Sequence, residues 1–124
     1  MLDVEVLGTA AIAAAEVERL VAISLASADV EDGHVAVAFV DGDRIRDLNR
    51  EHRGKDAPTD VLSFPIDGDD EPRGPRELGD VVICPAHTED LREAVIHGTL
   101  HLVGMDHETD DGEMLALQRE LLSW

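Results

Sequence analysis

Apolar and polar residues follow one another along the first half of the chain in a pattern that predicts two strands and two helices. Leu2–Leu7 alternates apolar and polar side chains, as a strand with one buried face does. Residues 10–28 place apolar side chains at helical spacing, and residues 34–40 are rich in β-branched side chains, which favour a strand. A helix is expected next, with Asp41 as its N-cap and Gly54 at its end.

The second half of the chain predicts two more strands and two more helices. The strands are expected at residues 61–66 and 78–84, and the helices at about 87–103 and 111–122. Residues 67–77 carry Gly and Pro among acidic side chains, which is typical of a solvated loop. Thr109 or Asp110 is the expected N-cap of the last helix. The 124 residues therefore predict a single domain over residues 1–124, with an α/β (mixed α+β) fold of about four strands and four helices.

The charge of the chain is strongly negative, yet its cations are clustered. Asp and Glu number 28 against 10 Lys and Arg, which leaves a formal net charge of −18. Such a charge argues against a nucleic-acid or anionic-membrane partner, unless it serves bulk solubility. Half of the cations nevertheless fall in one short stretch, the basic strip: Arg44, Arg46, Arg50, Arg53 and Lys55.

Cysteine usage and hydropathy predict a cytoplasmic protein. The one cysteine, Cys84, cannot form an internal disulfide and is interpreted as a small apolar side chain at a buried strand end. No apolar run approaches the roughly 18 residues of a membrane span, and the N-terminus lacks the basic start of a secretory signal. We therefore expect no membrane partner.

Three of the six histidines lie close together and predict a metal site. His97 and His101 are four residues apart, so on a helix both imidazoles project from one face and can share an ion. His107 would point away if that helix continued, but Gly104 tolerates the left-handed conformation that ends many helices. The spacing predicts two ligands on a helix, a glycine reversal and a third ligand after the turn.

A site of three neutral imidazoles is typical of a metal-dependent hydrolase. It leaves a fourth tetrahedral position open for the activation of water, whereas a structural zinc site is more often closed by cysteines. We expect one zinc ion per chain, although imidazole also suits other first-row divalent metals.

The spacing H-x-x-x-H-x-x-G-x-x-H is also similar to that of the metzincin proteases. Those enzymes carry a glutamate general base where this chain has Gly98. Without that base, the proton transfer needed for peptide hydrolysis is lost. A metalloprotease would need a carboxylate from elsewhere, such as Glu108 or Asp106.

Several segments resemble the YbeY family of bacterial rRNA maturation factors and metallo-endoribonucleases. Residues 97–107 (HGTLHLVGMDH) have the family's H-G-x-L-H-L-x-G-x-D-H form throughout. Residues 48–65 (LNREHRGKDAPTDVLSFP) and 78–84 (LGDVVIC) resemble two further signatures of the family. Together the similar segments cover most of residues 44–122.

The resemblance implies a zincin-like fold and a function in ribosome maturation. It implies zinc at His97, His101 and His107, and cleavage of single-stranded RNA during 3′-end maturation of 16S rRNA and ribosome quality control. The expected partners are single-stranded rRNA and ribosomal particles, with a ribosomal protein as a further candidate. The alternative is a non-catalytic ribosome-assembly factor that binds RNA and uses zinc only to hold its fold.

The resemblance implies a role for Arg53, and the chemistry of three other residues suggests roles near the site. Arg53 is expected to line the active-site cleft, where its guanidinium could clamp the scissile phosphate, and the alternative is a surface ion pair with Asp47 or Glu51. Arg50 and Lys55 are candidates for contacts with flanking phosphates, with a role as solvated surface charges as the equal alternative. Asp106 is expected either to orient a ligand imidazole or to cap the turn.

The chain also departs from the family pattern at two places. Only twelve residues separate Cys84 from His97, a shorter connection than is usual in the family. Met105 stands where a tyrosine is common. Neither departure touches the three histidines.

Overall fold

The described residues, 2–66, 77–105 and 112–124, form a four-stranded mixed sheet with four helices in the computed structural model of the protein. The strands are β1 (Leu2–Leu7), β2 (Gly33–Phe39), β3 (Val61–Pro65) and β4 (Glu77–Ile83). The helices are α1 (Ala14–Ser27), α2 (Gly42–Arg53), α3 (Leu91–Leu102) and α4 (Glu113–Leu122), and a 3₁₀ turn, Pro85–His87, follows β4. The predicted fold class is confirmed.

The sheet is parallel except at one edge, where β3 runs the other way. Its order is β1-β2-β4-β3, and β1, β2 and β4 are parallel. β3 pairs antiparallel with β4, with Val61 opposite Ile83 and Pro65 opposite Gly79. Proline lacks a backbone N–H, so its position at the end of an edge strand removes little from the sheet. α3 packs against β3 and β4, which places this edge of the sheet beside the histidine-bearing helix.

The main core lies between the sheet and helices α1 and α3, and α4 packs on these two helices. Its fully buried aliphatic side chains include Val17, Leu20, Leu25, Val37, Ile83, Ile96 and Leu100. Each such side chain stabilises the fold by about 1.5–3 kcal/mol relative to an exposed one. With so few aromatic residues, the core is built from Val, Leu and Ile.

The opposite face of the sheet carries a smaller cluster under α2. Successive strand residues point to opposite faces, so Val82 faces away from the main core that holds Val81 and Ile83. Val82 packs with Ile45 of α2 and with Cys84. Cys84 is fully buried, which confirms its interpretation as a small apolar core residue.

Helix α2 begins and ends where the sequence predicts. The Asp41 carboxylate accepts a hydrogen bond from the backbone N–H of Arg44 at 2.8 Å, which satisfies a free donor of the first turn. Gly54 follows the last residue with φ of 71°, the left-handed conformation that glycine adopts without strain.

Helices α1 and α3 begin later than the sequence predicts. α1 starts at Ala14 rather than near residue 10. α3 starts at Leu91 rather than near residue 87, because the Asp90 carboxylate accepts hydrogen bonds from the backbone N–H groups of Arg92 and Glu93. The predicted start of α3 was wrong because the apolar period does not distinguish this helix from the 3₁₀ turn before it.

The prediction for the start of α4 also needs correction. α4 begins at Glu113, and the residue before it, Gly112, has φ of 99° and provides no side-chain cap. Thr109 and Asp110 lie outside the described residues, as do residues 67–76 of the predicted acidic loop. Glu77, assigned to that loop from the sequence, is instead the first residue of β4. No helix in the described part of the chain is long and apolar enough to cross a membrane.

Candidate active site

The two histidines of α3 face one another at short range. The Nε2 atoms of His97 and His101 lie 3.1 Å apart, and their ring centroids lie 4.7 Å apart with the ring planes at 74°. Two imidazole nitrogens bound to one tetrahedral zinc ion would be separated by roughly 3.3 Å. The described pair therefore has nearly the spacing that a shared ion requires, as the helical interval of four residues predicted.

A glutamine from α4 holds one of these imidazoles in place. The Oε1 atom of Gln118 lies 2.8 Å from Nδ1 of His97. The amide nitrogen of the same glutamine donates to the Glu93 carboxylate at 3.1 Å, which orients its oxygen toward the histidine. Because this oxygen accepts and cannot donate, Nδ1 of His97 carries the proton and Nε2 presents its lone pair to the side of His101.

Neither Gln118 nor Glu93 stands out in the sequence as a functional residue. One signal could have found Gln118: Met114, Gln118 and Leu121 form the buried stripe of α4, so a polar side chain occupies a core position. Only 6% of Gln118 is exposed, and a buried amide needs partners for its oxygen and nitrogen. Its partners lie on α3, and the sequence does not reveal that pairing.

The glycine reversal expected after the two histidines is present. Gly104 has φ of 92°. Its N–H donates to the carbonyl of His101 at 3.0 Å, and the N–H of Met105 donates to the carbonyl of Leu100 at 3.2 Å. This pair of bonds is a Schellman motif, which ends α3 and turns the chain away. The expectation that α3 ends at Gly104 is thus confirmed.

The third predicted ligand lies outside the described residues. His107 and Asp106 both fall in residues 106–111, so the roles predicted for them remain predictions. Within residues 2–66, 77–105 and 112–124, no group of three potential metal ligands comes together.

Gly98 has no room for the glutamate that a metzincin carries. A Cβ atom at this position would overlap Cγ1 of Val81 and would lie 3.1 Å from Cγ2 of Val61. The carbonyl of Gly98 accepts a hydrogen bond from the Ser63 hydroxyl at 2.8 Å, which ties α3 to β3. The missing side chain therefore lets the helix pack directly on the sheet, and a carboxylate base cannot be placed there without displacing β4.

The two histidines open onto a cleft of about 1180 Å³ that α2 borders. His97 and His101 line it together with Arg53, the last residue of α2. Arg53 is exposed, and its guanidinium forms no ion pair with any of the described residues. Arg53 and the two histidines therefore line the same cavity.

The other candidate cations lie outside the cleft lining. Arg50 is 3.1 Å from the Asp47 carboxylate and 3.8 Å from that of Asp56. Arg46 binds Asp56 at 2.7 Å, and this hydrogen bond holds the pKa of the Asp56 carboxyl below its usual value. Lys55 is exposed and is likewise not part of the lining. The phosphate contacts predicted for Arg50 and Lys55 remain predictions.

The fold and the site define a class of protein. The chain is a mixed α/β protein in which one helix presents a close pair of histidines to an open cleft, together with an arginine that forms no ion pair among the described residues. Histidine pairs of this spacing suit a divalent metal ion.

Comparisons with known proteins agree with this class. The family model described as Endoribonuclease YbeY matches residues 5–124. The chain is 48% identical over 93 residues to the endoribonuclease YbeY of Rubrobacter xylanophilus, a match that covers 73% of this chain and 66% of that protein. It is 41% identical over 129 residues to the endoribonuclease YbeY of Geobacillus kaustophilus, covering 86% of this chain and 83% of the relative.

A solved structure extends the similarity to the fold. The solution structure of TM1509 from Thermotoga maritima matches with a TM-score of 0.59 and 30% sequence identity, over 97% of this chain and 87% of that one. The chain belongs to the endoribonuclease YbeY family, and the family predicted from the sequence is confirmed.

Proposed function

We propose that this chain is a metal-dependent endoribonuclease that cleaves single-stranded RNA in the cleft that α2 and α3 border at the β3 edge of the sheet. The observation that carries the proposal is the convergence of His97 Nε2 and His101 Nε2, 3.1 Å apart, in the cavity that Arg53 also lines. The class of enzyme, a hydrolase that cuts RNA internally, follows from membership in the family. The proposed task is 3′-end maturation of 16S rRNA and ribosome quality control in the cytoplasm, with rRNA in ribosomal particles as the partner.

The residues of the site fit a zinc ion. His97, His101 and His107 would hold it, and the proton that Gln118 keeps on Nδ1 of His97 leaves Nε2 free to bind. A bound ion of this type acts as a Lewis acid on a phosphodiester oxygen and lowers the pKa of water. Zinc is favoured by the all-imidazole donor set, which also accepts other first-row divalent ions.

Arg53 would bind the scissile phosphate. Its guanidinium is exposed, lines the cleft and makes no ion pair within the described residues, so binding a phosphate breaks no such pair. Two parallel N–H donors match two phosphate oxygens, and the interaction strengthens as negative charge develops. Arg53 would therefore stabilise the transition state more than the bound substrate.

The nucleophile is either activated water or the 2′-hydroxyl of the RNA itself. The packing of Gly98 against Val81 leaves no carboxylate base at the metzincin position, which also disfavours a metalloprotease. The product ends separate the two nucleophiles. A 2′,3′-cyclic phosphate would exclude water as the first nucleophile.

Metal content measured together with RNA cleavage tests the proposal. Wild type, His101→Ala, Arg53→Ala and Arg46→Ala would be assayed by elemental analysis and with a labelled single-stranded RNA. Arg46→Ala is the matched control, because Arg46 lies on the same helix but outside the cleft lining. We expect about one zinc per chain and cleavage for wild type and the control. His101→Ala should lose both zinc and cleavage.

The variant Arg53→Ala separates catalysis from structure. We expect it to retain zinc while turnover falls by about 10²–10³-fold, the usual cost of removing one preorganised charge-stabilising donor. An equal loss of zinc would assign Arg53 a structural role. Stoichiometric zinc in wild type without cleavage of free or ribosomal RNA would refute the nuclease and favour the assembly factor.

A further inference from the structure

An aromatic pair lies in the cleft beside the phosphate-binding arginine. His52 of α2 and Phe64 of β3 both line the cavity, with their ring centroids 4.7 Å apart and their planes at 56°. His52 is exposed, whereas Phe64 is half-buried and packs on the small core under α2. The pair therefore offers the cleft a π-surface whose rear is supported by the core.

A second arginine that lacks an ion pair among the described residues lies on the same side of α2 as His52. Arg44, Leu48 and His52 are spaced four residues apart, so they form one stripe along the helix, and all three line the cleft. Arg44 is exposed, and its guanidinium forms no ion pair within the described part of the chain. In contrast, Arg46 and Arg50 lie on other sides of α2 and bind carboxylates.

The carboxylates near this stripe, including Asp80 of β4, which also lines the cleft opposite Phe64, form no ion pair with Arg44 among the described residues. Asp41 accepts a hydrogen bond from the backbone N–H of Arg44, so it caps the helix. Asp60 lines the cleft, but its carboxylate accepts hydrogen bonds from the backbone N–H of Val61 at 2.9 Å and from the Thr59 hydroxyl at 3.2 Å. Within the basic strip, the two arginines that lack an ion pair among the described residues are those that line the cleft, Arg44 and Arg53.

We propose that His52, Phe64 and Arg44 form a nucleotide subsite next to the scissile phosphate. A base stacks on the His52–Phe64 surface, and Arg44 binds a phosphate further along the same strand. This inference rests on the proposed ribonuclease function and adds to it the path of the substrate along α2. Stacking and phosphate contacts depend little on which base is present, so we expect the subsite to bind RNA with little sequence preference.

The dimensions of α2 suit a single strand that spans several nucleotides. Arg44 and Arg53 are nine residues apart, which corresponds to about 13 Å along the helix. A stacked strand carries one phosphate per roughly 3.4 Å, and an extended one carries fewer over the same length. A base must leave its neighbours to stack on a protein ring, and in a duplex it cannot do so without unpairing. The subsite therefore gives a physical reason for the single-strand preference.

Binding and cleavage of a labelled single-stranded RNA test this subsite. Arg44→Ala and His52→Ala would be compared with wild type for KM and kcat. Dissociation constants would be measured by fluorescence anisotropy in a His101→Ala background, where the probe is not shortened. We expect His52→Ala to raise KM and the dissociation constant by about five- to tenfold, as loss of one stacked base does. His52→Phe should restore both values, because a stacking role needs only an aromatic ring.

Arg44→Ala should weaken binding in a salt-dependent way. We expect the slope of log affinity against log salt to fall by roughly 0.7, the value for one phosphate contact on a single strand. Arg46→Ala removes the same charge from the same helix outside the cleft and should leave this slope unchanged. Melting curves of each variant verify that the fold is intact.

The outcomes separate the subsite from the proposed function. Unchanged KM, affinity and salt slope in both variants, with wild-type cleavage intact, would overturn the subsite and leave the nuclease standing. Failure of His52→Phe to restore binding would overturn the stacking role. If wild type binds the RNA without cutting it, the proposed nuclease function is refuted. The binding data alone still test the subsite.

Discussion

Gln118 is predicted to control the metal affinity of the site through His97. In Gln118→Leu, the hydrogen bond of 2.8 Å from Nδ1 of His97 is lost, and so is the contact with Glu93. The Nδ1 proton of His97 then loses this acceptor, so the tautomer and the angle of the ring are fixed less strongly. Removal of such a partner lowers metal affinity by about 10–100-fold.

The stability of this variant should change much less than its metal affinity. The lost hydrogen bonds contribute about 0.5–1.5 kcal/mol each. A leucine at a position that is 6% exposed, between Met114 and Leu121, gains apolar burial that offsets this loss. The net change in the free energy of unfolding of the metal-free protein should therefore stay within about 1 kcal/mol.

Zinc competition against a chromogenic chelator measures the affinity, and urea denaturation of the metal-free protein measures the stability. Met114→Leu is the matched control, since it changes the same buried stripe one turn earlier. We expect the control to bind zinc as wild type does. Wild-type zinc affinity in Gln118→Leu would refute the reasoning, and equal losses of affinity in both variants would assign the effect to core packing.

Two further predictions concern the fold around the site. Gly98→Ala should lower the free energy of unfolding by about 1–3 kcal/mol in urea denaturation, because its Cβ overlaps Val81; equal or higher stability would show that the helix and sheet can separate there. The hydrogen bond between His34 and Glu77, with further support from Glu5, raises the pKa of His34. A histidine whose pKa is raised in the folded state stabilises the fold at pH values below its unfolded pKa, which is near 6.5. This stabilisation is lost as the pH rises through the folded-state pKa. His34→Gln should therefore cost more stability at pH 6 than at pH 9, and a constant cost would contradict it.

Local signals predicted the elements that carry the site. The carboxylate of Asp41 and the left-handed Gly54 act within one helical turn of the ends of α2, so the sequence shows both. The start of α3 was missed even though Asp90 caps it, because the apolar period alone did not separate this helix from the preceding 3₁₀ turn. The ends of a helix can therefore be predicted where the capping residue is considered together with the periodicity of the apolar residues.

The histidine pair was likewise a local property. His97 and His101 are one helical turn apart, and Gly104 ends that helix in a left-handed conformation, so the sequence alone determined their convergence and the reversal after them. The family was readable for the same reason, since its motifs are contiguous segments.

Only the tertiary structure decided what surrounds that pair. Gln118 comes from α4 to hold His97, and Val81 of β4 fills the space beside Gly98. Which arginines of the basic strip face the cleft depends on how α2 lies on the sheet, and this separates Arg44 and Arg53 from their neighbours. These contacts join residues far apart in the chain. They arise when buried apolar faces pack together, and a local pattern of residues does not specify which partners that packing brings into reach.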